Sequence, residues 1–401
     1  MTSSYLEYTE DQPIGQMQFN WLPAVALGGP PHSGKSVLAY SLTQALRARD
    51  VNHYLLRAYP PDGEGDWFLG AEPEQVRHFR IKGAQRETWL PLLKRDIAQR
   101  RLPLLVDLGG LPTTEQETLL DHCTHGILLT PDAATRAAWH ARMTDHDLIL
   151  LADLHSALTG KPGIATYAPL LTGTLVGLER GTMATGPAFE ALVARLSMLF
   201  TSASRGLRRR HLEQAPVELV VDLARLARHF EVATPHWPPT ALPRILAYLP
   251  SGQPLALYGR GPNWLYAAVA AQAHPAPFYL FDARLGWVQA PHLAQGTSLP
   301  TAPLQCTEQR WPAGCLLEYR LPDTYLDITE VATLRLPAPR HADGLILSGK
   351  LPLWLWAALA QAYHDAPWLA VVQPQLQGAV VIRALRGDYT VGSVLPLPPQ
   401  R

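Results

Sequence analysis

The sequence predicts an α/β protein with an N-terminal parallel sheet covered by helices on both faces, followed by two tandem small α/β modules. Three observations predict it. Through the first half, short apolar runs that do not alternate, as strands buried on both faces do not, are separated by helical stretches. The glycine-rich stretch GGPPHSGKS at 28–36 links the first such run to a helix. In the second half one pattern occurs twice, ninety positions apart: YGRGPNWLYAAVAAQAH at 258–274 and SGKLPLWLWAALAQAYH at 348–364.

The run LPAVAL at 22–27 reads as a buried strand, and VLAYSLTQALRAR after Ser36 reads as a helix. Between them, 29–36 spells a complete G-x-x-x-x-G-K-S loop, so the N-terminal sheet is predicted to be that of a P-loop NTPase, AAA-like or kinase-like. Gly29 and Gly34 let backbone N–H groups turn inward around phosphate oxygens, and the helix adds its positive N-terminal end. The expected nucleotide is ATP, and the contacting set is Gly29, Pro30, Pro31, His32, Ser33, Gly34, Lys35, Ser36 and Val37. Lys35 is expected to reach the β and γ phosphates, and the Ser36 hydroxyl to ligate Mg²⁺.

LPLLV at 102–106 is the next strand, and Asp107 at its tip is placed to hold Mg²⁺ through water. GILLT at 126–130, LILLA at 148–152 and GTLVGL at 173–178 extend the sheet, with a helix over 132–143. After a strand at 53–57 comes PDGEGDW, where Asp62 or Glu64 is a candidate general base or water-positioning group; an acidic surface turn is the alternative. Arg136 and Arg142 are candidates for neutralising a transferred phosphate, although arginines on a surface helix are usually solvated.

At 401 residues the chain exceeds what one core usually supports, so two or three domains are expected. With 47% hydrophobic and 17% charged residues it has the make-up of packed domains rather than disorder. The formal net charge of zero provides no global field toward duplex nucleic acid or membrane. Three cysteines (Cys123, Cys306, Cys315) at no metal-ligand spacing, an acidic first stretch unlike a secretory signal, and no membrane-length apolar run together predict a cytoplasmic protein. Prolines cluster at 235–243 and 300–312, and RGLRRRHLEQAP at 205–216 marks a change of texture. The predicted units are a P-loop domain over 1–214, a first module over 215–308 and a second over 309–401.

Each repeat places a Trp/Tyr/Ala helix between two strand-like runs, so the copies are expected to pack as a pseudo-twofold pair through a core or interface helix. The polar positions separate them. The first copy carries His274, Asp282 and Arg284, residue types suited to moving a proton, orienting it or holding a metal, and steadying phosphate charge. An ordinary surface ion-pair cluster is the alternative. The second copy has Gln373 and Gln375 where the first has its acid and base, so its role is expected to be binding or structural.

The pattern G-[RK]-x-P-x-W-L-x-A-A, then His, then Asp-Pro-Arg-Leu with a Gly-Ala-Val-Val strand, which the two copies here match in part, resembles the third CRISPR ring nuclease family. GGPPHSGKSVLAY, PDGEGDW and VDLGG resemble the P-loop domain joined to this module in some larger members, so the resemblance covers nearly the whole chain. It implies a type III CRISPR phosphodiesterase that linearises a cyclic oligoadenylate, with cyclic tetra-adenylate the expected ring, in a Mn²⁺-dependent reaction. The modules would pair, in a dimer or larger homo-oligomer, so that the ring is sandwiched between them. His274, Asp282 and Arg284 would then be catalytic, with Asp282 also a metal ligand. Gly259, Arg260, Ser348, Gly349, Lys350 and His364 would line the ring. Against the family pattern, the first copy has Ala283 for Pro and Tyr258 for Ser, and the second lacks the acid and the Arg. Two other functions stay open: a kinase or ATPase regulated by ligand-sensing modules, and a non-catalytic assembly protein.

Overall fold

The computed structural model describes residues 21–58, 89–110, 112–232, 237–296, 302–311, 314–321, 326–338, 344–386 and 389–397. The first unit runs β1 (Ala24–Gly28), α1 (Lys35–Ala48), β2 (Tyr54–Arg57), α2 (Trp89–Ala98), β3 (Leu104–Asp107), the single turn α3 (Thr114–Glu117), β4 (His125–Thr130), α4 (Ala133–Asp145), β5 (Ile149–Ala157), β6 (Gly163–Thr166), β7 (Leu171–Val176) and α5 (Pro187–Ala203). Its strands form one sheet in the order β2-β3-β1-β4-β5-β7-β6, parallel except for β6. Every residue of β1 is buried, because α1 and α5 cover one face and α2 and α4 the other. On the first face Leu38, Leu42 and Leu46 meet Leu192, Leu196 and Phe200; on the second, Leu93 and Ile97 share a core with Trp139 and Met143. The Asp132 carboxylate starts α4 by accepting a 2.8 Å hydrogen bond from Thr135 N–H.

The rest of the chain runs α6 (Leu207–Glu213), β8 (Val220–Asp222), α7 (Leu223–His229), α8 (Leu242–Tyr248), β9 (Leu255–Tyr258), α9 (Asn263–Ala273), β10 (Phe278–Asp282), β11 (Gly286–Gln289), β12 (Ala294–Gln295), β13 (Gln305–Trp311), β14 (Gly314–Arg320), β15 (Arg335–Leu336), β16 (Gly344–Gly349), α10 (Leu353–Ala362), β17 (Trp368–Gln373), β18 (Gly378–Ala384) and β19 (Val394–Pro396). The repeat is a repeat of topology. Parallel β8, β9 and β10 with antiparallel β11 match parallel β14, β16 and β17 with antiparallel β18. Strand β13, paired along β14, crosses the expected 308/309 boundary and belongs with the second module's sheet.

Helices α9 and α10 begin alike, after Pro262 and Pro352, and both are buried nearly all round. They are core helices, and Trp264, Tyr266, Trp354 and Trp356 lie in one cluster that takes in strands of both modules. The two modules therefore share a single core. Polar bonds cross it as well: Asn263 Nδ2 donates to Val372 O at 3.2 Å, and Gln361 Nε2 to Ala270 O at 3.3 Å. No helix among the described residues is long and apolar enough to cross a membrane.

Candidate functional site

The loop at 28–35 leaves the C-terminal end of β1 in the middle of the sheet. Gly29 has φ 151°, and a Cβ there would lie 2.1 Å from the Leu129 carbonyl oxygen. Gly34, with φ 86°, caps α1, and its Cβ would collide with Leu178 at 2.5 Å. Only glycine fits either position. Pro30 and Pro31 carry no N–H, so of the expected contacts they shape the loop and cannot donate to phosphate. The donors are the N–H groups from His32, itself at φ 62°, through Val37, whose side chain is buried in the core. Helix α1 has no acid in its first turn and no side-chain cap, which leaves its positive end to meet an anion.

Lys35 is folded back into the loop, donating from Nζ to Pro30 O at 2.6 Å and to Ser33 Oγ at 3.3 Å. Burial pushes its pKa down to about 8, and the nearby Asp107 carboxylate partly opposes this. Register brings Asp107 to the loop, because it pairs with Leu27 on β1. Its Oδ2 accepts from Ser36 Oγ at 3.3 Å, and its Oδ1 from Gly109 N–H at 3.2 Å. Two glycines that admit no side chain, an inward-folded lysine, and a hydroxyl beside a carboxylate are the donor set that Mg²⁺ and a nucleoside polyphosphate need.

Other expected residues fall elsewhere. Asp62 and Glu64 lie outside the described residues. Arg136 pairs with Asp153 at 2.7 Å and Arg142 with Glu117 at 2.6 Å, both from α4 on the face opposite α1. One residue had no signal in the sequence: Arg57, the last of β2, whose Nη1 sits 3.8 Å from Asp107 Oδ2 with its side chain 3% exposed. Only the pairing of β2 with β3 reveals it.

In the modules the expected catalytic set divides. His274 ends α9, before β10, whereas Asp282 is the last residue of β10. Five strand residues span roughly 13 Å, so within one chain the His and the Asp-Arg pair do not converge as expected. His274 instead stacks on His364, its counterpart in the second copy, with ring centroids 3.5 Å apart. Burial lowers the His274 pKa, and the neighbouring His364 lowers it further. His364 also contacts Asp365 at 3.0 Å.

At the other edge, Asp282 Oδ1 accepts from Arg284 N–H at 2.8 Å and from Leu285 N–H at 3.2 Å, closing the turn into β11. Arg284 is only 4% exposed and lies 3.6 Å from Asp96 of α2 and 3.7 Å from Asp282. Asp96 also meets Arg95 at 2.9 Å, and Arg95 reaches Asp327 of the second module at 2.7 Å. Exposed Arg260 donates to His53 O at 2.9 Å, immediately before β2. This edge of the first module therefore docks on the N-terminal unit.

Gly259 and Gly349 occupy equivalent strand ends, with φ 110° and 150°, each followed by a cation, Arg260 or Lys350. Ser348 is buried beside Gly349, and Gln373 donates to Gln375 in the turn where the first copy has Asp282. Among the described residues no three His, Cys, Asp or Glu groups gather as a metal site.

Comparison with known proteins bears on the modules. Residues 320–396, from the end of β14 to the end of β19, match the model of a CRISPR-associated protein family, Cas_csx3. An uncharacterized protein of Aquifex aeolicus (strain VF5) is 37% identical over 51 residues, 13% of this chain, which spans 46% of that relative. A sugar kinase structure from Janibacter sp. HTCC2649 aligns at 16% identity over 46% of this chain and 98% of its own, with a TM-score of 0.22, too low to carry an argument. Most of the second repeat is thus similar to Cas_csx3, a CRISPR-associated family.

Proposed function

We propose that this chain is an ATP-binding receptor for a cyclic oligoadenylate in CRISPR defence, whose paired modules bind the ring and whose P-loop unit responds to it. The observation that carries this reading is the docking of Arg260 and Arg284, the cations of the copy that keeps both the acid and the Arg, onto the P-loop unit. A ring of phosphates bound at that edge would compete with the His53 carbonyl and with Asp96 for those guanidiniums. It would thereby act on the segments that enter β2 and β3, the two strands that end at the nucleotide site. A two-fold pair of strand ends, each a glycine followed by a cation, also suits a ligand with two-fold symmetry such as cyclic tetra-adenylate.

At the loop, the N–H groups of 32–37 would surround the phosphates, and Lys35 would exchange the Pro30 carbonyl for phosphate oxygen. Ser36 and, through water, Asp107 would hold Mg²⁺, which would supply neutralisation of phosphate charge. The test is to incubate the full chain with radiolabelled cyclic tetra-adenylate, with and without Mn²⁺ and Mg·ATP, and to resolve the products while following ATP turnover. Intact bound ring with altered ATP turnover is expected. Rapid linearisation by the wild-type chain would reject the receptor reading.

The separation of His274 from Asp282 favours a second reading, a phosphodiesterase whose site forms between two copies. The His274 edge of one chain would then close on the Asp282 edge of another. Mixing inactive His274→Ala and Asp282→Ala chains should restore cleavage in that case; a mixture as inert as its parts would remove it.

A further inference from the structure

The sequence marks nothing at Arg57, yet the fold delivers this side chain to the phosphate end of the loop. Leu27, Asp107 and Arg57 are paired across β1, β3 and β2, so they end three strands at one height and point to the same face. That face is the one covered by α1, since Leu27 packs with Leu38 and Leu42 there. Arg57 is held 3.8 Å from the Asp107 oxygen that also accepts the Ser36 hydroxyl, with 3% of its side chain exposed.

Two cations, Lys35 and Arg57, thus stand around one carboxylate. A guanidinium cannot shed its charge, so burial obliges it to keep an anionic partner. The flank of the loop toward Gly34 is closed by Leu178. The opposite flank, toward β3 and β2, carries Asp107 and Arg57.

We propose that Arg57 contacts the terminal phosphate of the bound nucleotide and so makes the loop distinguish a triphosphate from a diphosphate. The inference rests on the ATP-binding reading above. Were Asp107 to help hold Mg²⁺, Arg57 beside it would face the terminal phosphate from the β2 side of the loop. A guanidinium suits this place because its planar fork can address both a carboxylate and a phosphate.

The test is equilibrium titration of the full chain with Mg·ADP and with the Mg²⁺ complex of an ATP analogue whose β,γ bridge is an imido group. Wild type, Arg57→Met and Arg57→Lys are compared, with the melting temperature of each recorded. Arg57→Met should weaken the triphosphate analogue roughly tenfold or more, the weight of one hydrogen bond to a charged group, while ADP affinity stays within about twofold. Arg57→Lys should recover part of the loss. Equal weakening of both nucleotides, or of neither, would show that Arg57 only braces Asp107 and would overturn the proposal. Should Arg57→Met not fold, an Arg57→Lys chain with wild-type preference for the triphosphate would overturn it as well. A wild-type chain that binds neither nucleotide would instead bring down the ATP reading itself.

Discussion

Lys35 sits in a position that works against its own charge, and this gives it two opposite pH signatures. Its pKa in the fold is about 8 because burial penalises the ammonium, against 10.5 for the ordinary side chain. Between those values the unfolded chain binds more protons than the folded one. Stability of the ligand-free protein should therefore rise as pH is taken from 8 toward 10.5, with nothing gained from this group below 8. Phosphate binding needs the charged form, so nucleotide affinity should fall over the same range. Chemical melts and ATP titrations from pH 7 to 10 check both slopes, and Lys35→Met should remove the first and abolish binding. Parallel slopes would mean that the loop does not bind phosphate through the ammonium.

At the level of elements, the sequence was legible wherever local chemistry sufficed. Non-alternating apolar runs placed β1, β3 and β4, because a strand covered on both faces has no polar side to display. The loop was legible because glycine is required at 29 and 34 by a carbonyl and a leucine that approach too closely for any Cβ. The repeated helix was legible as core because Trp264 and Trp354, like their alanine neighbours, leave no exposed face. Strand β6 was not, since three of its four residues are exposed and no pattern marks it. The grouping of His274 with Asp282 and Arg284 failed for a related reason. Eight positions in sequence look close, but a strand lies between them and carries them to opposite edges. Arg57 was invisible because its meaning depends on strand order, which no local signal encodes.

Across the whole molecule, the link between the halves is a chain of charges, Asp282, Arg284, Asp96, Arg95 and Asp327, in which Arg284, Asp96 and Asp327 are buried. It touches the N-terminal unit through one helix, α2, and both modules through their own turns. Asp96 and Arg284 are almost wholly enclosed, with side chains 1% and 3% exposed, so breaking either leaves a charge in a poorly solvated place. Asp96 retains Arg95 when Arg284 is lost, and Arg284 retains Asp282 when Asp96 is lost, which softens each single change. Arg284→Met and Asp96→Asn should each destabilise the chain in urea melts. The double variant should cost less than the two together by about 0.5–3 kcal/mol, as residues in one buried network do. If the pair also transmits ligand binding, Arg284→Met should leave basal ATP turnover in place and remove its response to cyclic tetra-adenylate. Additive stability costs with an unchanged response would mean that the two halves merely lie against each other, and the signal would have to pass through the Arg260 contact with His53 instead.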